Sequence, residues 1–269
     1  MTLREELISA LINQKIPSPR LETDIILKHA APSYPDITNN EEALARQMLH
    51  RRLQNEPLDK IIGQREFFKS VFVVNSDVLT PRPDTEILVE SALKLIPENR
   101  AIKILDLGTG SGCILLSLLA ERPQCTGTGV DASLKAIQTA IRNTENLNLT
   151  NRTTFVNKSW TEENFVTDTY DIIVSNPPYI PTEDIENLDQ EVKNYDPISA
   201  LDGGKDGLEC YRQIAKIASL ILNEKGYILL EVGYNQAKDV EEIFTNQGLT
   251  SVEIVKDLAG INRCVILKK

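Results

Sequence analysis

Apolar residues recur at helical spacing through the first sixty or so positions, then give way to short apolar runs alternating with amphipathic stretches. LREELISALI, PRLETDIILKHA and NNEEALARQMLHRRLQ each carry one apolar stripe and are separated by Pro17, Pro19, Pro32, Pro35 and Pro57. That pattern predicts a small helical bundle. Residues 66–79, EFFKSVFVVNSDVL, predict a short β-hairpin. The chain therefore reads as a helical domain over 1–75, a hairpin linker near 66–80, and a larger domain over 81–269. In the latter, PRPDTE caps a helix DTEILVESALKLI, with prolines stiffening its entry. Strands are expected near 102–107, 126–130, 152–157, 170–175, 226–232, 249–255 and 263–268, with helices between most of them. Such alternation predicts an α/β fold, a parallel sheet wound on both faces with its ligands at the strand carboxyl ends. The last strand follows its predecessor through the short turn DLAGIN, too short for a crossover helix, so it should run antiparallel.

Two strand ends carry candidate chemistry. AIKILDLGTGSG, ending at Gly112, is an apolar strand running into glycines at every second position. Gly108, Gly110 and Gly112 allow a tight turn and close approach of backbone to ligand, with Thr109 and Ser111 between them. Cys113 occupies the place where a dinucleotide fingerprint has its third glycine, which argues against NAD. About twenty residues on, CTGTGVDAS ends a strand at Asp131, a carboxylate placed to accept ribose hydroxyls. As a plain helix N-cap, Asp131 would have no such meaning.

The second candidate is DIIVSNPPYI, an apolar run that stops at Asn176, Pro177, Pro178 and Tyr179. These residues suit methyl transfer to a planar nitrogen, whose delocalised lone pair makes it a poor nucleophile. The Asn176 side-chain oxygen and the Pro177 carbonyl can each accept one N–H, and both contacts strengthen as positive charge grows on the nitrogen. Tyr179 can stack on the flat group. This is catalysis by positioning and fixed dipoles, with no obligatory His or Cys. The plain alternative is a Pro-rich turn after a strand.

Composition narrows the class. At 269 residues and 41% hydrophobic content the chain can bury a sizeable core. Its longest apolar stretches run to about eight residues against the roughly twenty of a membrane span. The N-terminus shows no export signal, so a cytoplasmic protein is expected. Cys113, Cys125, Cys210 and Cys264 are scattered without a C-x-x-C pair, so no zinc site or other metal site is expected. Residues 1–75 are charge-neutral, and the net charge of −10 falls wholly on the remainder. An acidic catalytic part disfavours nucleic acid and favours a basic protein partner.

Thr80 to Glu86, Asp106 to Gly112, Asp131, Ser175 to Pro181, Glu191 to Leu208, Leu230 to Gln236 and Asp257 to Arg263 together resemble the HemK/PrmC family of protein-(glutamine-N5) methyltransferases. The likeness covers residues 60–269 by motif and residues 1–59 by length and helical character. It implies a class I S-adenosylmethionine-dependent methyltransferase fold, Rossmann-like, with seven strands, behind a helical substrate-recognition domain. It implies that Gly108 to Gly112, Asp131, Trp160 and Asn176 touch S-adenosyl-L-methionine, and that Asn176 to Tyr179 hold a glutamine amide. The substrates implied are class I peptide chain release factors, modified by a monomer that forms no stable complex with nucleic acid. Ser159 departs from the pattern, since an acidic residue often precedes the tryptophan. Two other substrates remain open on the sequence alone. One is a ribosomal-protein glutamine, although that branch carries a PRSP-type segment where this chain has PRPDTE. The other is an exocyclic amine of a nucleic acid base, which would need a base-flipping pocket and a basic groove. A cofactor-binding module without catalysis is a third reading, disfavoured by the intact Asn176 to Tyr179.

Overall fold

A computed structural model describes residues 2–269 as two compact units. The first takes in the chain up to Gln64, together with Asp189–Tyr195. Its helices are α1 (Leu3–Asn13), α2 (Pro19–Ala30), α3 (Asn39–Leu53) and the single turn α4 (Leu58–Ile62). Thr2 with Glu5 and Thr38 with Glu41 form reciprocal capping boxes at the starts of α1 and α3, satisfying amides that the first helical turn leaves free. Leu7, Leu11, Ile26, Ala45 and Met48 bury the predicted stripes against one another. Arg52, only 3% exposed, is neutralised by Glu22 at 2.6 Å and by Glu191 at 2.8 Å. Glu191 therefore serves this unit although it lies far along the chain.

The second unit comprises Arg65–Leu188 and Asp196–Lys269. The division falls at Gln64, ahead of the expected residue 75, because the hairpin packs with the larger domain. Its strands β1 (Gln64–Phe67) and β2 (Ser70–Val73) set Phe67 and Phe72 edge to face at 6.0 Å, within one core that also holds Leu88 and Leu116.

The remaining elements are α5 (Glu86–Leu95), β3 (Lys103–Leu107), α6 (Cys113–Glu121), β4 (Thr126–Asp131), α7 (Leu134–Asn146), β5 (Thr153–Asn157), β6 (Tyr170–Ser175), α8 (Gln190–Tyr195), α9 (Glu209–Ile221), β7 (Leu222–Glu231), α10 (Ala237–Thr245), β8 (Thr250–Lys256) and β9 (Asn262–Lys268). Of these, α8 belongs to the helical unit. Seven strands form one sheet in the order β5-β4-β3-β6-β7-β9-β8. Strands β3 to β7 pair in parallel, and β9 is antiparallel to both β7 and β8, as the short DLAGIN turn requires.

The pleat sorts side chains to two faces. Ile104, Ile172, Val174, Leu229 and Ile266 point to a core shared with α5 and α6. Leu105, Leu107, Ile173, Ile228, Leu230, Val265 and Leu267 point to another shared with α9 and α10. Because both faces are covered, the central strands read as continuous apolar runs rather than alternating ones. The strand order reverses between β3 and β6, and the crevice outside their carboxyl ends is where such sheets bind ligands.

Candidate active site

A cleft with about 900 Å³ of space between atoms, partly open to solvent, lies at these strand ends. Gly108, Thr109, Gly110, Ser111, Asp131, Trp160, Asn176 and Pro178 all line it. The structure thus brings together residues from β3, β4 and β6 that lie up to seventy positions apart in the chain.

The loop after β3 is shaped by its glycines. Gly108 has φ +73°, and a Cβ there would sit 3.3 Å from the Trp160 ring. Asp131 ends β4 and organises the loop from below: one carboxylate oxygen accepts from the Gly110 amide at 2.9 Å, the other from the Ser133 amide at 2.9 Å. Ser133, not Asp131, caps α7. Burial raises the Asp131 carboxyl above its ordinary range despite those two bonds. Trp160 is half-buried and donates its indole N–H to Gln213 at 3.0 Å, so its ring is held at the cleft wall.

Gly112, Pro177 and Tyr179 are not among the lining residues. Gly112 has φ +81° and opens α6 with Leu116 and Ala140 close behind it, so it is a glycine for the sake of the turn and the packing. Pro177 is buried, and Tyr179 packs into the α9 side of the core. Burial pushes the Tyr179 hydroxyl up to about 12, so it stays neutral and supplies a flat ring.

The Pro-rich loop is clamped by residues that sequence reasoning left unassigned. Ile180 bridges Asp202, with the Ile180 amide donating to Leu201 and the Gly203 amide to Ile180. Gln236 donates to the Tyr179 carbonyl at 2.9 Å. A Cβ on Gly203 would lie 2.7 Å from the Tyr179 Cα, and one on Gly207 would run into the Tyr179 carbonyl. The Gly-Asp segment 202–207 is therefore the bed on which the loop lies. Pro197, Ser199 and Ala200, just before it, line the cleft.

The site also fits an adenosyl ligand with a cationic end. Ser111 Oγ and Thr80 Oγ1 in the cleft wall, and Asp106 Oδ1 beneath the loop, are buried without a hydrogen-bond partner. Asp106 is fully buried, its carboxyl pushed up to about 7 by burial despite a 2.7 Å bond from the Thr109 hydroxyl. A cation above the loop would relieve that cost.

A seven-stranded sheet with an antiparallel β9, a glycine loop after β3 and an acid ending β4 define a class I S-adenosylmethionine-dependent methyltransferase. The family model for the methyltransferase small domain matches residues 83–192. A methyltransferase from Pyrococcus furiosus shares the fold at TM-score 0.57 and 21% identity, over 83% of this chain and 98% of that one. The release factor glutamine methyltransferase of Caulobacter vibrioides is 42% identical over 260 residues, 93% of this chain and 90% of its own length. That of Agrobacterium fabrum is 41% identical over 251 residues, 92% of this chain and 85% of its own. The chain belongs to the family of release factor glutamine methyltransferases, and its methyl donor is S-adenosylmethionine.

Proposed function

We propose that this protein methylates the side-chain amide nitrogen of the glutamine in the Gly-Gly-Gln loop of class I peptide chain release factors. The observation that carries the reading is the placement of Asn176 in one cleft with Gly108 to Ser111 and Asp131. S-Adenosylmethionine, when bound, supplies an electrophilic methyl group. Gly108, Thr109, Gly110 and Ser111 would cradle it, Asp131 would take its ribose hydroxyls, and Trp160 would flank its base.

Asn176 Oδ1 and the Pro177 carbonyl accept the two N–H bonds of the glutamine, which leaves the nitrogen lone pair facing the donor. Pro178 and Tyr179 support the amide plane, Tyr179 from its packed position behind the loop. As the nitrogen takes the methyl group and the methyl–sulfur bond breaks, with a neutral thioether as leaving group, positive charge on nitrogen would strengthen both acceptor contacts and lower the barrier without any titrating base. The acidified nitrogen then releases one proton to solvent. The helical unit selects the release factor, and the acidic charge of the catalytic part suits a basic protein face over a nucleic acid backbone. The enzyme acts as a monomer in the cytoplasm, where release factors work.

Incubation with S-adenosylmethionine and a release factor, followed by digestion and mass spectrometry, should show one added methyl on that glutamine. A release factor with the glutamine changed to alanine should stay unmodified. Methyl on ribosomal protein, RNA or DNA in place of the release factor would refute the substrate.

A further inference from the structure

Trp160 lines two separate spaces. One is the cleft that also holds Gly108 and Asp131. The other is a hollow, partly open to solvent, between the segment after Trp160 and α9, lined by Phe165, Gln213, Ile217 and Leu220. The half-buried ring packs against the α9 core as a partly exposed neighbour of it. A flat ring with open space near it on two accounts needs a directional hold if it is to present one plane to a ligand.

That hold has two points. A Cβ on Gly108 would lie 3.3 Å from Trp160 Cζ3 and 3.9 Å from Cη2, so the six-membered edge of the indole abuts the glycine loop. The opposite, five-membered end donates through Nε1 to Gln213 Oε1 at 3.0 Å. An indole N–H can only donate, so Gln213 must offer its oxygen and not its NH2 group. Glu209, one turn earlier on α9, sets that orientation, since its Oε1 accepts from Gln213 Nε2 at 3.1 Å. A carboxylate takes only the NH2 side, which leaves the carboxamide oxygen for Trp160. The mount is rigid: Tyr211, Ile214, Ala215 and Ala218 bury one face of α9 completely, and the Tyr211 hydroxyl donates to the Glu231 backbone carbonyl at 2.8 Å. The Glu209 amide donates to the Gly203 carbonyl at 3.1 Å, which ties the start of the helix to the bed of the Pro-rich loop.

We propose that Gln213 is a positioning residue of the cofactor site, which fixes the plane of Trp160 and, through it, the affinity for S-adenosylmethionine. The inference rests on the flanking role given to Trp160 above. Neither Gln213 nor Glu209 lines the cofactor cleft, so an effect of Gln213 on the cofactor passes through the indole. A ring free to turn would offer the base several orientations, and selecting one of them on binding costs affinity.

Trp160 is the only tryptophan of the chain, so fluorescence excited at the red edge, where tyrosine does not absorb, reports on this ring alone. Gln213→Met keeps the length of the side chain and removes the acceptor. In the full-length protein without cofactor, its time-resolved anisotropy should gain a nanosecond component of local motion that wild type lacks. By calorimetry, S-adenosylmethionine should bind about 3- to 10-fold more weakly, the weight of one hydrogen bond. Gln213→Glu, which keeps an acceptor at the same reach, should restore both readings to within about twofold of wild type. Trp160→Leu should cost at least as much affinity, and the double variant with Gln213→Met no more than Trp160→Leu alone. With cofactor saturating, the KM of Gln213→Met for a release factor should match wild type, because α9 keeps its place.

Wild-type anisotropy or wild-type affinity in Gln213→Met overturns the inference. So does a loss that Gln213→Glu leaves in place, a loss that multiplies with that of Trp160→Leu, or a raised KM, which would mean that α9 itself had shifted. If Trp160→Leu binds the cofactor as wild type does, the flanking role of Trp160 fails first. If wild type binds S-adenosylmethionine and leaves a release factor unmodified, the proposed function fails while the role of Gln213 stands, because fluorescence and calorimetry do not depend on turnover.

Discussion

Replacing Glu231 with Gln should alter folding stability in a way that depends on pH. In the folded protein, burial pushes this carboxyl from the ordinary 4.5 up to about 7, against the Thr85 hydrogen bond and the nearby Arg263 and Arg82, which pull it down. The folded state therefore holds the proton more tightly than the unfolded chain. That linkage adds stability below pH 4.5, and the contribution is lost as pH rises through 7. The whole window of roughly 2.5 pKa units corresponds to about 3 kcal/mol, and the part between pH 6 and pH 8.5 to about 1.4 kcal/mol. Gln does not titrate, so wild type should lose about that much relative to Glu231→Gln over the same pH range.

Urea unfolding of both proteins at pH 6, 7 and 8.5 measures the difference directly. These conditions stay above the isoelectric point of about 4.9. Asp106, whose carboxyl is also pushed up to about 7, is common to both proteins and cancels. A difference in unfolding free energy that stays constant from pH 6 to pH 8.5 would show that the carboxyl is not held protonated, and the reasoning fails. If it holds, the balance of stability shifts toward the variant as pH rises, because only wild type loses stability.

Three further outcomes concern the site. Asn176→Ala should raise the barrier to methyl transfer by about 2 to 4 kcal/mol, seen in single-turnover rates, with cofactor affinity nearly unchanged. Equal losses in both would make Asn176 mainly a binding residue. Asp131→Ala removes the acceptor that holds the Gly110 amide, and calorimetry should show S-adenosylmethionine binding at least about tenfold more weakly, a cost of 1.4 kcal/mol or more. Gly207→Ala puts a Cβ against the Tyr179 carbonyl at φ +72°, so both the melting temperature and the methylation rate should fall, by about 1 to 3 kcal/mol in stability.

Much was legible in one dimension, because strand and helix periods and turn residues are local properties. The strands at 103–107, 126–131 and 170–175 fall within a residue or so of expectation, since their apolar runs end in glycine, aspartate and asparagine-proline. The antiparallel β9 was implied by the length of one turn. Gly108, Asp131 and Asn176, each at the carboxyl end of an apolar run, line one cleft for the same local reason. Other features needed the third dimension. Glu231 looked like the end of a strand, and only the β6–β7 register sets it beside Asn176. Gly203 and Gly207 lie against Tyr179 only in the folded chain, twenty-four and twenty-eight positions away in sequence. Gly112 carries the loop signature, and its packing against Leu116 and Ala140 shows only in the folded chain. Local pattern determines which segments become strands and where they end. Which ends meet, and which buried polar atom faces which, depends on contacts between residues far apart in the chain, and those are decided only when the sheet closes its two cores.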